Sequence, residues 1–392
     1  QRQVIINRWN TEFNHRLTPD YYQSFGLGFY EYFLLAEDIG AAPLPILNCG
    51  MACQFNSAEV VPLDQLEPYI QDALDLIEFA NGPSTSAWGK IRSDLGHPEP
   101  FHLKFLGIGN EQWGPQYFER YRLFEKSIRD KYPDIVLISS AGPQPDGELF
   151  DFATEALKST KAEIVDEHYY RNPEWFFSNA NRYDSYNRNG HKIFAGEYAA
   201  QSVHTGSPDN KNTWECALSE AAFMTGLERN ADVVTMCSYA PLFAHVEGWQ
   251  WTPDLIWFDN LTSYGTTNYY VQKLFGNYKG THVLSMLLDN RPLTGQNGLY
   301  ASAVLDADSQ EIMLKIVNSS EVPQPLNIVL QTHAKLMAGA KLTVLKGTPN
   351  DVNTLENPGV VKPVELEARV KGKKVDLSLA PYSFSVLRIK VQ

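Results

Sequence analysis

Short apolar runs alternate with amphipathic stretches between residue 43 and about residue 240. The runs are Pro43–Asn48, Leu103–Gly109, Ile135–Ser140, Ile164–His168, Ile193–Glu197 and Val233–Ser238. None alternates with polar residues, the pattern of a strand buried on both faces. Between them, Leu66, Ile70, Leu74 and Ile77 recur at helical spacing, and Asn81-Gly82-Pro83 stops that helix. Phe118, Tyr121, Phe124, Glu125 and Ile128 form a second stripe, halted by Pro133. Trp214–Arg229 reads as a third helix, Tyr30–Ile39 as one before the first strand and Thr266–Phe275 as one after the last. Strands alternating with helices predict βα units and a parallel sheet. From about residue 281 the helical stripes stop. Tyr300–Leu305, Glu311–Asn318, Asn327–Leu330, Lys341–Lys346, Val375–Leu379 and Ser383–Val391 follow, separated by Gly, Pro, Asn and Asp. They predict an all-β domain, most simply a sandwich.

The fold class is therefore α/β with an all-β appendage. Six parallel strands would suit a Rossmann-like sheet, but no GxGxxG follows any of them. The remaining reading is a (β/α)8 TIM barrel with strands 3–8 visible, which requires the first two strands to lie upstream of Gln1. Residues 1–280 are then a catalytic barrel domain, incomplete at its N-terminus, and residues 281–392 a C-terminal β-sandwich domain.

Composition narrows the function. At 43% apolar and 20% charged residues the chain is not disordered. A formal net charge of −13 repels phosphate backbones, so no nucleic-acid partner is expected. No apolar run approaches the ~18 residues of a membrane span, so no membrane partner is expected either. Cys49, Cys53, Cys216 and Cys237 have neither zinc-site spacing nor the density of a disulfide scaffold. They read as mostly buried small hydrophobes. The start, QRQVIIN, has no signal-peptide pattern and no Met, as in a mature form or a fragment. Two glycosylation sequons, at Asn260 and Asn318, matter only in a eukaryotic secretory route.

Catalytic groups of a (β/α)8 barrel sit at the carboxyl ends of its strands. Two carboxylates stand there, each in a Gly-containing turn: Glu111 after Leu106-Gly107-Ile108-Gly109-Asn110, and Glu197 after Phe194-Ala195-Gly196. A pair of carboxyl groups across a pocket suits glycoside hydrolysis, one giving a proton to the leaving oxygen and the other attacking the anomeric carbon or activating water. A nucleophile elbow, an H-E-x-x-H motif and a P-loop are all absent from the sequence.

Gly109–Gly114 (GNEQWG) resembles the acid/base motif of glycoside hydrolases that place the proton donor after barrel strand 4 and the nucleophile after strand 7. A finer resemblance is to family 51 α-L-arabinofuranosidases. It is carried by Tyr30–Ala41 (YEYFLLAEDIGA), Gly107–Gly114, Glu197–Ala199, Ser219–Asn230 (SEAAFMTGLERN), Ser238–Phe243 (SYAPLF), Trp251–Ile256 (WTPDLI) and Ala380–Leu387 (APYSFSVL). The resemblance implies a retaining, exo-acting hydrolase that removes terminal α-L-arabinofuranosyl residues from arabinan or arabinoxylan. Glu111 is then the general acid/base and Glu197 the nucleophile.

Asn110 would bond the sugar 2-hydroxyl, and Tyr170 would orient the nucleophile or touch the sugar. His168 reads equally as a substrate contact or a structural histidine. Asn48 is placed at the subsite floor, Trp113 and Trp249 (with Trp9 and Trp251) as packing or sugar-stacking residues, and Gln250 as a substrate contact. No metal or cofactor is implied. The partners implied are arabinose-containing plant polysaccharides or oligosaccharides, with a homo-oligomer allowed and a secreted or periplasmic setting. Two other readings stay open: another retaining barrel glycosidase (a β-xylosidase or endo-β-glucanase), or a non-catalytic carbohydrate-binding fragment. One departure is that the Arg-x-Pro-Gly-Gly stretch normal to the family before the segment like Arg8–Thr11 is absent.

Overall fold

In the computed structural model of the chain, the described residues are 5–6, 22–23, 27–55, 57–249 and 251–392. Trp9 and Gln250 lie outside them. The described residues form two compact units, one of residues 27–169 with 191–196 and the other of residues 170–190 with 197–392.

Six strands follow in chain order: β1 (Ile46–Leu47), β2 (Phe105–Ile108), β3 (Val136–Ser140), β4 (Ile164–Arg171), β5 (Lys192–Ala200) and β6 (Val234–Tyr239). They are hydrogen-bonded in that order, a parallel (β/α)8-type half-barrel. The first unit holds β1 to β3 and most of β4, with helices α1 (Phe29–Asp38), α2 (Glu67–Asn81), α3 (Ala87–Asp94), α4 (Gly114–Lys131) and α5 (Glu148–Leu157) between or before them. Leu106, Ile108, Leu137 and Ile138 are buried, as the unbroken apolar runs predict. Tyr117 of α4, itself buried, ties two strand ends together. Its hydroxyl donates to Ile108 O at 2.7 Å and accepts the Ser140 N–H at 2.8 Å. That fixes the level from which the loop after β2 departs.

In the second unit, α6 (Pro173–Ser178) precedes α7 (Trp214–Arg229) and α8 (Thr267–Asn277). Thr213 caps α7 by accepting the Cys216 N–H, and Thr266 caps α8 through Tyr269. A small sheet of β7 (Phe243–His245), β8 (Ile256–Phe258) and β9 (Ser263–Gly265) follows β6. Then come β10 (His282–Leu284), β11 (Leu299–Asp306), β12 (Glu311–Asn318), β13 (Gln324–Val329), β14 (Leu336–Lys346), β15 (Val364–Lys371), β16 (Lys374–Leu379) and β17 (Ser383–Val391), in the order β10-β11-β12-β17-β14-β15-β16-β13. Strand periodicity sorts their side chains. Leu299, Ala301 and Ala303 meet Ile312, Leu314, Ile316, Leu387 and Ile389 in one core. The alternate residues turn to α7 and α8: Ser302 bonds Glu228, and Phe384 stacks on Phe275 at 5.3 Å.

Several elements differ from the sequence expectation. β6 is not buried on both faces, since Thr235, Cys237 and Ser238 are exposed. Its sheet is open beyond it among the described residues, so one edge of the strand lacks a neighbour. Cys237 is thus exposed and Cys53 half-buried, whereas Cys49 and Cys216 are buried as expected. β15 was not among the six expected strands of the β-domain, although Val364, Leu366, Ala368 and Val370 alternate with charged residues. Most of it is solvated, so the charges hide the period. No helix among the described residues is long and apolar enough to cross a membrane.

Candidate active site

The first unit builds its part of the site on the turn after β2. Gly109 has φ +75°, and a side chain there would strike Gln112, Tyr117 and Cys49. Glu111 itself has φ +57°, a conformation that costs a non-glycine residue ~1 kcal/mol or more and gathers at functional sites. Gln112 holds the turn: it is buried, and its Oε1 accepts the Asn110 N–H. Trp113 is clamped from the loop after β1. Its N–H donates to Gln54 Oε1 at 2.9 Å, Gln54 Nε2 returns a bond to Trp113 O at 3.2 Å, and Phe55 packs on its ring at 5.0 Å.

So aimed, the Glu111 carboxyl meets β4. Glu111 Oε1 lies 2.8 Å from His168 Nδ1, and His168 Nε2 lies 3.1 Å from Asp166 Oδ2. The ring is 1% exposed. Residues two apart on a strand share a face, which puts Asp166, His168 and Tyr170 in one row. The opposite face carries Glu167 and Tyr169, whose hydroxyl donates to Glu167 at 2.6 Å. Asp166 is approached closely by β5, since a Cβ on Gly196 would overlap its carboxyl group. That is the requirement met by glycine before Glu197.

The second unit carries the other carboxylate. Tyr170 donates its hydroxyl to Glu197 Oε2 at 2.8 Å. The end of β5 is set by backbone pairing on both sides. Gln201 N–H donates to Arg171 O at 2.8 Å, and Ala240 N–H to Tyr198 O at 3.2 Å. Trp251 packs edge-on to Tyr170 at 5.6 Å, and Trp249 to Trp257 at 5.6 Å.

A family profile described as "Alpha-L-arabinofuranosidase 1 domain" matches residues 1–188, and one described as "Alpha-L-arabinofuranosidase C-terminal domain" matches residues 196–383. A solved GH51 α-L-arabinofuranosidase with arabinose bound superposes with a TM-score of 0.83 at 33% identity, covering 96% of this chain and 59% of that one. The chain belongs to glycoside hydrolase family 51. Its relatives include an extracellular exo-α-L-arabinofuranosidase of Streptomyces chartreusis, 50% identical over 286 residues, which are 71% of this chain and 34% of that protein. α-L-Arabinofuranosidase 1 of Arabidopsis thaliana is 36% identical over 372 residues, 93% of this chain and 52% of that protein. The chain thus spans about a third of the first relative and about half of the second.

Within this family 51 chain, the expected residues fall into two groups. Glu111 and His168 are joined directly in the first unit, and Glu197 and Tyr170 in the second. Asn110 and Trp113 flank Glu111 on the same turn. Asn48 is exposed, and its Oδ1 is turned back onto its own loop, accepting the Gly50 N–H at 2.7 Å and the Met51 N–H at 3.3 Å. Trp249 packs on Trp257 rather than on the Tyr170–Glu197 pair. Sequence reasoning missed Asp166, Gln112 and Gln54. For Asp166 the signal existed: Asp166, His168 and Tyr170 alternate along one strand. Gln112 stands inside the GNEQWG motif, but its contact with the Asn110 backbone, like those of Gln54 with Trp113, is not legible from the motif.

Proposed function

We propose that the protein is a retaining exo-α-L-arabinofuranosidase acting on arabinose-containing plant polysaccharides. In this reading residues 1–280 are the catalytic part and 281–392 a supporting sandwich. Glu111 is the general acid/base and Glu197 the nucleophile. The observation that carries the reading is the row on β4: His168 holds Glu111 and Tyr170 holds Glu197, two residues apart on one strand face.

In the first step the Glu197 carboxylate attacks the anomeric carbon while Glu111 gives its proton to the departing glycosidic oxygen. A covalent arabinosyl–Glu197 ester forms. Water, deprotonated by Glu111, then breaks that ester with net retention. His168 supports the acid role: held by Asp166 at Nε2, it fixes one oxygen of Glu111 at Nδ1 and leaves the other oxygen to carry the proton that passes to the glycosidic oxygen. Tyr170 donates to the oxygen of Glu197 that is not bonded to the sugar, holding the other on line. Asn110 bonds the sugar 2-hydroxyl, and the exposed Phe55 beside Trp113 offers an aromatic face to the leaving group. The Streptomyces relative is described as extracellular, and we assign this enzyme the same setting.

The test compares aryl α-L-arabinofuranoside with aryl β-xyloside in the complete polypeptide carrying this sequence. NMR should show the α-anomer of arabinose released first. Glu197→Ala should lose at least ~10³-fold in kcat on the arabinofuranoside. Preference for the xyloside, inversion, or an unaffected Glu197→Ala rate would each overturn the reading.

A further inference from the structure

Helix α7 buries nearly every residue, among them a carboxyl group, Glu220, with no exposure at all. An unpaired carboxylate in such a place is costly, and an alanine or leucine would serve packing better. Its contacts explain its presence. Glu220 Oε1 accepts the N–H of Ala200 at 2.8 Å. Ala200 ends β5, three residues past Glu197. Gln272, on α8, accepts the hydroxyl of Tyr198 through Oε1 at 2.9 Å. Tyr198 is the residue after Glu197 and is wholly buried against Phe176, Phe223 and Tyr239.

Strand periodicity makes the arrangement meaningful. Tyr198 and Ala200 share the face opposite to Glu197. The amides of Asn268 and Gln272, one helical turn apart, lie near the Glu220 carboxyl group and favour its anion. Neither nitrogen makes a well-formed hydrogen bond to Glu220 Oε2. Burial outweighs them and pushes this carboxyl group up to about 8. A neutral acid still accepts the Ala200 N–H without carrying a charge beside the nucleophile strand.

We propose that Glu220, with Gln272, is a positioning residue for Glu197: the two hold the outward face of β5 at Tyr198 and Ala200, and thereby set the direction in which the Glu197 carboxylate points. This rests on the reading of Glu197 as nucleophile. Small displacements of a reacting group cost rate without weakening substrate binding, which separates this role from general support of the fold.

The experiment uses the complete polypeptide with Glu220→Leu, Glu220→Gln and Tyr198→Phe, each normalised to its folded fraction by circular dichroism. Glu220→Leu removes the acceptor at similar volume and should lower kcat about 30-fold with KM changed less than about 3-fold. The loss should be equal for aryl arabinofuranosides with good and poor leaving groups, because the acid is untouched. Glu220→Gln keeps an acceptor for Ala200 and should stay within about 3-fold of the parent. Tyr198→Phe should lower kcat about 5-fold at constant KM, and it decides the matter if Glu220→Leu does not fold. Unchanged kcat in folded Glu220→Leu, equal damage from Gln and Leu, or an unaffected Tyr198→Phe where the Leu variant fails to fold would overturn the proposal. If Glu197→Ala alone keeps the parental rate, the nucleophile reading falls instead.

Discussion

His168 bridges Glu111 and Asp166, with Nδ1 2.8 Å from the first carboxyl group and Nε2 3.1 Å from the second. A ring held at both nitrogens cannot rotate away from the acid. Asp166→Ala frees Nε2 and lets the ring choose either tautomer. The expected result is a kcat loss of about 10–100-fold on arabinofuranosides with poor leaving groups, and under about 3-fold on dinitrophenyl ones that need no proton. A loss independent of the leaving group would show that Asp166 serves the fold alone.

Tyr170 donates one hydrogen bond to Glu197, and its ring also packs on Trp251. Tyr170→Phe deletes the bond and keeps the ring. It should cost about 1 kcal/mol or less in stability yet about 10–100-fold in kcat. Chemical denaturation beside steady-state kinetics checks both halves.

Stability should carry the signature of Glu220. Its carboxyl group is pushed by burial from 4.5 up to about 8. Below 4.5 both folded and unfolded states hold the proton, and the favourable linkage is complete. Between 4.5 and about 8 the unfolded state has released the proton and the folded state has not. Stability therefore falls with rising pH through this window, by up to about 1.4 kcal/mol per unit from this group. Glu220→Gln removes that slope, so its stability relative to the parent should rise from the acid to the alkaline end. A difference independent of pH would count against a neutral, buried Glu220.

Lys315 is wholly buried, paired with Glu228 of α7, and donates to Tyr278 O at 2.6 Å. Burial pulls its ammonium down, and the Glu228 charge opposes that. Lys315→Met strands Glu228 and should destabilise by about 3–5 kcal/mol. Adding Glu228→Gln should recover most of the loss. Thermal melts of the two variants check this.

The two sequons differ in geometry. Asn318 is buried, and its Nδ2 donates to Val322 O at 3.0 Å and Ala380 O at 2.8 Å. Asn260 is exposed in the turn capped by Asp259. Made in a eukaryotic secretory host, the protein should yield a glycopeptide at Asn260 and none at Asn318 by mass spectrometry. Glycan at Asn318 would mean that the strand end opens before modification.

By itself the sequence determined the parallel strands, the antiparallel domain and the two strand-end carboxylates. Apolar periodicity and Gly-rich turns are local, and they survive without knowledge of neighbours. Even the pairing of His168 and Tyr170 on one face follows from strand alternation. Only the tertiary structure decided which groups those faces meet. Glu111 and His168 stand 57 residues apart, Gln54 and Trp113 59, and Tyr198 and Gln272 74. Such contacts leave no periodic trace, because a buried acceptor such as Glu220 occupies a helix position that packing alone would assign to an apolar residue.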